Sequence, residues 1–538
     1  MRPANRPEPR ILAGVAALAA IAILIGGALL GLLIEGASDL PAAFDALDSY
    51  FVRVAIFTLW QAALSTLLSV GPAILIARAL SRHPAFPGRG LILRLFALPL
   101  ALPAIVAALG VLSLFGRAGF FAGVLSAFSG GDWPGIYGLS GILVAHVFFN
   151  LPLATRFLLE ALDAVPADQW RLASQLGMGA GPSFRLIEWP AVRAGLPGVA
   201  GLVFMLCVTS FTIVLTLGGG PAATTLEVAI YQALRFDFDP ARAVALTLGQ
   251  ILLTLATVWL LTRLGRDPAR EANPGVSPRR YVSVSPAEML ANAVLILVAT
   301  AFVIGPLAAI LVSGLAADLA RLAGEASLQR ACITSLTFAI LSGLIATLMS
   351  LALVGARRAL EGRRRGKRRS LLEHAVDAGA GFVLVVPPIV IGAGWFVLVR
   401  HIGDVFLIAP FMVIAVNAVM AMPFVVRAIR PAHDAAAERH DRLAASLGIS
   451  GWDRYRLVDW PSIRRPLLTG FAFAMALSLG DLGVIALFGS DAVKTLPFLL
   501  LERMGSYRTA DAAGLALIIA LACLSLMAAA DHFGKERA

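Results

Sequence analysis

The chain has 538 residues, of which 59% are hydrophobic and only 14% are charged, and its mean hydropathy is +0.84. This composition lies far outside the range of soluble globular domains and indicates a membrane protein. The net charge of +11 does not indicate a nucleic-acid-binding protein, because the basic residues concentrate in short segments that border apolar runs, where the positive-inside rule predicts them.

Twelve apolar segments are each long enough to cross the roughly 30 Å hydrocarbon core of a bilayer as a helix. The predicted helices cover approximately residues 11–34, 51–78, 91–115, 137–160, 196–217, 243–264, 289–314, 332–356, 379–400, 407–428, 467–488 and 512–533. The first is longer than the hydrophobic region of an ordinary signal peptide, so a retained span is predicted. Ten-residue segments of alternating polarity, typical of barrel strands, are missing. The predicted fold class is an all-α polytopic membrane protein with about twelve transmembrane helices.

Charged residues outside the spans predict the orientation. Arginine clusters follow the second, sixth and eighth predicted helices, whereas acidic residues follow the first and the fifth. The clusters contain Arg78, Arg82, Arg89 and Arg94, then Arg263, Arg266, Arg270, Arg279 and Arg280, then the arginines between Arg357 and Arg369. The positive-inside rule therefore predicts that these clusters and both termini are cytoplasmic.

Two segments repeat with a constant shift of 271 residues. RLASQLGMGAGPSFRLIEWP runs from Arg171 to Pro190, and RLAASLGISGWDRYRLVDWP runs from Arg442 to Pro461. Between Arg171 and Leu196, eleven of twenty-six residues are identical to their counterparts in the second copy. Six spans per half give both copies the same orientation, so two parallel six-helix repeats are predicted.

The predicted domains follow these copies. The first repeat covers 1–265, a linker covers 266–286, and the second repeat covers 287–538. The repeated segments lie near 161–195 and 432–466 and are called loop 1 and loop 2 below. Both are predicted to lie on the cytoplasmic side.

Each loop predicts a short amphipathic helix, a glycine turn and a second amphipathic stretch. In loop 1, Leu172 and Leu176 stand four residues apart on one helix face, and Gly177 can adopt the left-handed conformation that ends a helix. The equivalent residues of loop 2 are Leu443, Leu447 and Gly448. A single copy is typical of an ordinary connection between spans, but its duplication favours two docking elements for a partner with two similar sockets.

This spacing resembles the EAA loop of the membrane subunits of ABC importers. The resemblance implies an ABC importer type I permease fold (MetI-like) and two loops that couple to an ATPase. The residues at the motif's positions, which the resemblance implies form the ATPase-coupling loops, are Arg171, Leu172, Ala173, Leu176, Gly177, Arg442, Leu443, Ala444, Leu447 and Gly448. Where that family commonly has glutamate six residues before the glycine, this chain has Arg171 and Arg442. A basic side chain thus replaces the family's acidic one in both copies.

Two further stretches, FMLCVTSFTIVLTLGGGPAATTLEVAIYQALRFDFDPARA from Phe204 to Ala243 and LGDLGVIALFGS from Leu479 to Ser490, are similar to the permeases of bacterial thiamine importers. This similarity implies a multi-pass protein of the bacterial cytoplasmic (inner) membrane that works with two copies of an ABC ATPase and a periplasmic substrate-binding protein. The implied solute is thiamine, with its phosphates as further candidates. Membrane lipid is the remaining expected partner.

The chain is not expected to hydrolyse ATP itself. Its nearest approach to a P-loop is Gly366-Lys367, but Glu361 stands where the first glycine should be and Arg368 replaces the required Ser or Thr. ATP and Mg²⁺ are therefore expected on the partner subunit, with no cofactor on this chain. No catalytic or metal-binding pattern is found in the sequence, and an enzyme is not predicted.

Two residues are candidates for the solute path. Asp481 is predicted in the middle of the eleventh helix, where an acid costs roughly 2.5–3.5 kcal/mol to insert and should face protein or water. It is either a pathway or gating group that attracts a cationic thiazolium ring, or a structural acid in helix packing. Ser210 is its counterpart at the shift of 271.

Two other features favour structural roles. His146 in the fourth predicted helix is expected to be packed or hydrogen-bonded rather than a ligand, because its helix turn contains no second ligand. The segment with Gly218, Glu227, Tyr231 and Asp237 is expected to be a turn and a re-entrant or surface helix. The alternative is that this segment receives substrate from an external binding protein.

Two rival functions remain open from the sequence. A ferric-ion ABC importer permease shares the fused architecture, and an ion-coupled secondary transporter with twelve spans in parallel halves is also possible. The secondary transporter would work without an ATPase partner. The choice of thiamine therefore rests on the two quoted stretches.

Overall fold

A computed structural model describes residues 8–38, 40–264, 285–363, 368–401, 403–449 and 451–534. Every regular element within these residues is helical, so the predicted all-α fold class is confirmed. The predicted linker, apart from its last two residues, and the Gly366-Lys367 pair lie outside the described residues.

The helices of the first half are α1 (Pro9–Ser38), α2 (Leu40–Asp45), α3 (Ser49–Arg82), α4 (Arg89–Leu95), α5 (Leu98–Ala101), α6 (Ala104–Phe115), α7 (Ala122–Ser129), α8 (Leu139–Asp163), α9 (Ala167–Gln175), α10 (Ala180–Ser183), α11 (Trp189–Val208), α12 (Phe211–Leu217), α13 (Leu226–Arg235) and α14 (Pro240–Leu264). Those of the second half are α15 (Pro286–Leu315), α16 (Leu319–Gly324), α17 (Ala326–Arg363), α18 (Leu371–Phe382), α19 (Pro388–Arg400), α20 (Ala409–Ser446), α21 (Gly451–Arg454), α22 (Trp460–Gly480), α23 (Gly483–Phe488), α24 (Leu496–Gly505) and α25 (Thr509–Gly534).

Ten helical segments in the described residues are long and apolar enough to span a membrane. The predicted third span, 91–115, is not one continuous helix, because its two parts meet at an angle of 112°. Leu102 at this bend is extended, as expected for the residue before Pro103, since the proline ring disfavours a helical conformation there. The predicted ninth span, 379–400, is also broken, and only the 13-residue α19 remains as its apolar helix.

The described residues form two compact units. Unit 1 contains the described residues within 1–47, 229–251 and 318–538, and unit 2 contains those within 48–228 and 252–317. The first helix of each half therefore belongs to the unit built mainly from the other half. The predicted domain boundaries describe the sequence copies and stay a prediction.

In unit 1, α1 packs closely on α17 and α19. Its buried face follows the helical period and carries small residues where the neighbouring backbone comes near. A Cβ at Gly31 would overlap the carbonyl oxygen of Gly394, and the Trp395 indole N–H donates to the Leu24 carbonyl oxygen at 2.7 Å. Close backbone contact thus fixes α1 on the second-half helices.

In unit 2, α15 occupies the equivalent place against α6 and α3. A Cβ at Gly110 of α6 would lie 2.7 Å from the carbonyl oxygen of Pro306. At its first turn, the Ser285 hydroxyl accepts the Glu288 N–H at 3.2 Å and caps the helix. The two units are therefore built alike. In each, the first helix of one half packs closely, through glycine contacts, against helices of the other half.

Replacing Gly31 with alanine should destabilise the protein, whereas replacing Gly26 on the same helix should not. The new methyl at position 31 would meet the Gly394 backbone, while nothing lies within 4 Å of a Cβ at Gly26. We expect Gly31→Ala to lower the free energy of unfolding by about 1–3 kcal/mol, the usual range for overpacking. Thermal unfolding in detergent measures the difference. Equal melting temperatures for the two variants would contradict the close packing of α1.

Candidate functional site

Loop 1 is a bracket of short helices closed by a glycine turn. After α9 the chain turns at Gly177, whose φ of +62° lies in the left-handed region. A Cβ at Gly177 would meet nothing within 4 Å, so the backbone conformation rather than space favours glycine. After α10, a π-helical turn at Phe184–Glu188 leads into α11.

Loop 2 repeats the turn but not the first helix. Gly448 has a φ of +68°, and a π-helical turn at Tyr455–Asp459 stands at the same shift of 271. However, α20 continues unbroken to Ser446, so the predicted separate short helix is wrong for this copy. In loop 1, Pro166 stands at the start of α9, and its counterpart in loop 2 is Ala437, which permits a continuous helix.

One face of each loop is buried against its own unit. In loop 1, Trp170, Ala173 and Ile187 are buried and pack together with Val165. In loop 2, Ala444 is buried at the position equivalent to Ala173. The predicted alanines thus belong to the inner face and hold the loops in place.

The opposite face exposes leucines. In loop 1, Leu172, Leu176 and Leu186 are 56%, 69% and 65% exposed. Their counterparts at the shift of 271 have nearly the same exposure, with Leu443 at 57%, Leu447 at 64% and Leu457 at 63%. Leu172, Leu176 and Leu447 lie outside the candidate spans, and the other three leucines lie near the ends of candidate spans. Exposed apolar residues grouped in this way are typical of a docking surface. We call these residues the leucine patches.

Both arginines that replace the usual acid are also exposed. Arg171 forms an exposed ion pair with Asp168 one helical turn away, at 3.1 Å. Arg442 is exposed on α20. The charge at this position therefore faces outwards beside each leucine patch.

An acid that the sequence analysis missed anchors each loop. Glu188 is 1% exposed and accepts hydrogen bonds from Arg78 Nε at 2.8 Å and Arg82 Nε at 3.0 Å. Its counterpart Asp459 is buried and accepts one from Arg10 Nη2 at 3.1 Å. The sequence carries a signal for this anchor, because an acid precedes Trp-Pro in both copies. Counting only identical residues misses it, since the acid is Glu in loop 1 and Asp in loop 2.

Aromatic side chains reinforce the anchors at equivalent places. Phe184 and Trp189 have ring centroids 6.0 Å apart, and Tyr455 and Trp460 have centroids 6.2 Å apart. The Arg78 guanidinium also lies over the Phe184 ring at 4.9 Å. In each loop, the π-helical turn thus carries both an aromatic ring and the buried acid that anchors the loop.

The predicted path residue Ser210 lies at a break between α11 and α12. The hydroxyl oxygen of Ser210 is 2.8 Å from His146 Nε2, and the other ring nitrogen of His146 is 2.9 Å from the Ser65 hydroxyl. His146 is therefore hydrogen-bonded within a buried polar cluster of unit 2, as the sequence analysis predicted. Polar side chains buried among membrane-spanning helices generally pair with one another, as these three do.

Asp481 lies within the candidate span Tyr455–Phe488, but at a break between two helices, so only the prediction of a continuous helix around it is wrong. It ends α22 with extended backbone angles, and α23 begins at Gly483. Its Oδ1 accepts the Gly483 N–H at 3.3 Å, while Oδ2 has no hydrogen-bond partner within the described part of the chain. Because a carboxylate readily satisfies the free N–H groups of a helix start, Asp481 suits a break better than a helix centre.

The segment after Gly218 is a turn followed by a buried helix. The ten-residue α13 is too short to span a bilayer, and its Glu227 and Tyr231 are buried. The Leu226 N–H donates to the Thr58 hydroxyl at 3.0 Å, and in the second half the Leu496 N–H donates to Ser335 at 2.7 Å. Burial excludes a surface helix for the start of α13.

Comparison with known proteins places the chain in a family. The family described as "Binding-protein-dependent transport system inner membrane component" matches residues 72–270 and 366–536, which together are more than half of the chain. The chain belongs to this family. Each match contains one of the two loops.

Individual members of the binding-protein-dependent permease family are similar over nearly the whole length. The thiamine transport system permease protein ThiP of Brucella abortus (strain 2308) is 57% identical over 534 residues, covering 99% of this chain and 96% of that protein. ThiP of Escherichia coli K12 is 43% identical, with 89% and 88% covered. ThiP of Haemophilus influenzae is 38% identical, with 96% and 94% covered. The chain is accordingly a multi-pass permease subunit of this family.

Proposed function

We propose that this permease carries thiamine across the cytoplasmic membrane as the membrane subunit of an ATP-driven importer. The proposed partners are two copies of an ATPase subunit and a periplasmic binding protein, and both loops and both termini face the cytoplasm. The substrate assignment is supported by the full-length similarity to permeases named for thiamine. Thiamine phosphates remain candidate solutes.

The proposed coupling rests on one observation above all. Two leucine patches with matching exposure stand at the same positions of two loops that are otherwise anchored by buried groups. A partner that buries such a patch gains hydrophobic free energy of about 25 cal/mol per Å² of apolar surface. We propose that each patch docks in one ATPase subunit and that nucleotide-driven movement of the ATPases reaches the spans through the buried acids.

Uptake into proteoliposomes tests this function. The permease is reconstituted with the candidate ATPase and binding protein, and labelled thiamine uptake is measured with and without Mg-ATP. ATP-dependent uptake of thiamine supports the proposal. Uptake of ferric ion instead would favour the rival substrate, and uptake driven by an ion gradient without ATPase would contradict the importer assignment.

Asp481 is proposed to interact with the solute, and Asp481→Asn tests this role. The amide oxygen of asparagine can still accept the Gly483 N–H, so the start of α23 should be kept while the negative charge is lost. Loss of one favourable charge contact to cationic thiamine should lower uptake about tenfold, which corresponds to about 1.4 kcal/mol. Transport is measured separately from ATP hydrolysis.

Ser210→Ala provides the control at the uncharged break of unit 2. It removes the hydrogen bond to His146 but no charge, so we expect a smaller effect on thiamine uptake. Unchanged uptake by Asp481→Asn would remove Asp481 from the path and leave it a structural acid.

A further inference from the structure

The buried acids that anchor the two loops, Glu188 and Asp459, pair with arginines from different helices. Around Glu188, the side chains of Arg78 and Arg82 are 23% and 4% exposed, and both arginines belong to the last part of α3. Arg82 also contacts Glu288 at the start of α15 and donates to the Ala180 carbonyl oxygen at 3.2 Å. Loop 1 is thus held by two arginines that belong to its own half of the chain.

Loop 2 lacks these arginines. α17 is the counterpart of α3, since Ser335 and Thr58 bond equivalent helix starts at a shift of 277. At that shift, Gly355 and Ala359 replace the two arginines. The arginines of α17 next to them contact acids of α20 instead, as in the Arg358–Asp441 pair at 3.0 Å. Arg358 thus contacts the first part of loop 2, but within the described residues no side chain of α17 pairs with Asp459, the counterpart of Glu188.

Asp459 is held from α1. Arg10 lies in the first turn of α1 and donates to Asp459 Oδ2 at 3.1 Å. The nearest other cation in the described residues is Arg454 of loop 2 itself, whose Nε is 3.7 Å from Asp459 Oδ1. Since Arg454 belongs to loop 2, Arg10 supplies the ion pair that joins Asp459 directly to a helix outside the loop. Arg358 of α17 reaches Asp459 only indirectly, because Asp441 of loop 2 pairs with both Arg358 and Arg454.

The far end of α1 is tied as well. Glu35 is buried, and its carboxylate accepts from Arg400 Nη2 at 2.5 Å and lies 2.8 Å from His401 Nε2 at the end of α19. Between the two ends, glycine contacts seat α1 on α17 and α19. A helix of this length extends about 45 Å at 1.5 Å per residue, so it is a stiff element that connects loop 2 with the opposite end of the unit.

We propose that α1 acts as a strut for loop 2 and that Arg10 is the residue that positions the loop, through its ion pair with Asp459. This inference rests on the proposed coupling role of the loops. Movement of the strut then changes the position of loop 2 and its leucine patch. Loop 1 is connected to its exchanged helix less directly, because its anchor lies on α3 and α15 joins the cluster only through Glu288. The two ATPase contacts therefore differ in how they are connected to the spans.

The experiment measures coupling, which a purely structural contact would not change selectively. The full permease carrying Arg10→Ala is reconstituted with ATPase and binding protein, and the thiamine taken up per ATP hydrolysed is determined. We expect this ratio to fall at least threefold while ATPase binding stays near wild type. The melting temperature should fall less than for a fully buried pair, because Asp459 is 8% exposed but keeps Arg454 within 3.7 Å. Arg10→Lys should retain most of the ratio.

Arg363→Ala is the matched control, because Arg363 is also half-exposed and contacts Glu8 near the start of α1 at 3.9 Å without reaching loop 2. The double variant Arg10→Asp with Asp459→Arg should restore the ratio if the pair itself positions the loop. A wild-type ratio for Arg10→Ala, or failure of the reversed pair to restore a lowered ratio, would overturn the proposal.

Substitutions in the leucine patches separate this proposal from the proposed function. If they leave ATPase binding unchanged, the coupling role of the loops fails. If they abolish ATPase binding while Arg10→Ala keeps the wild-type ratio, the strut alone fails.

Discussion

Replacing Leu172 and Leu443 together with aspartate should abolish ATP-dependent uptake. Both side chains are more than half exposed, at 56% and 57%, so the folded permease should tolerate the change. In the proposed complex each aspartate would be buried in an apolar socket without a partner, which costs several kcal/mol per site. We expect at least a hundredfold loss of uptake, and loss of ATPase co-purification with the permease.

The control for this prediction is Leu371→Asp. Leu371 is 90% exposed at the start of α18 and lies outside both loops. It should leave uptake and co-purification unchanged. The docking role of the leucine patches would be refuted by a double variant that still binds ATPase and transports at the wild-type rate.

Replacing Glu188 with glutamine should destabilise the permease more than any other single change discussed above. The substitution keeps the shape of the side chain but leaves Arg78 and Arg82 with Glu288 as their remaining carboxylate. Breaking a buried charge cluster by removing one member costs about 3–5 kcal/mol. We expect a marked fall in melting temperature in detergent, accompanied by loss of coupling through loop 1.

Asp163→Asn is the matched control, because Asp163 pairs with Arg89 at 3.5 Å but is 43% exposed. Its effect on the melting temperature should be small, since solvent screens exposed pairs. A melting temperature for Glu188→Gln as high as that of the control would show that the cluster does not anchor loop 1.

The loops were the most predictable part of the molecule. Glycine stands at equivalent positions of the two copies, 271 residues apart. Because glycine readily adopts the left-handed conformation that ends a helix, turns at Gly177 and Gly448 could be predicted. The exposure of the leucines followed from the same amphipathic spacing. The arginines that anchor the loops were harder to predict from the sequence. Arg10 and Asp459, for example, are 449 residues apart, and no local pattern joins them.

The helix breaks could not be predicted from hydropathy. Prolines do not mark them reliably, since Pro72 and Pro152 lie inside continuous helices whereas Pro103 follows a sharp bend. Neighbouring helices in a membrane can satisfy the backbone groups that a proline leaves free, so packing decides the outcome. Asp481 was misplaced for the same reason, because the apolar run around it continues across the break.

The exchange of first helices has a consequence for dividing the gene. A polypeptide that stops at residue 264 would contain α6 with its Gly110 surface but not α15, and the remaining polypeptide would contain α19 but not α1. Each fragment alone would thus expose a surface that is covered, in the whole chain, by the first helix of the other fragment. Two separate halves would have to exchange these helices to complete either unit, whereas a single chain supplies both helices in equal number.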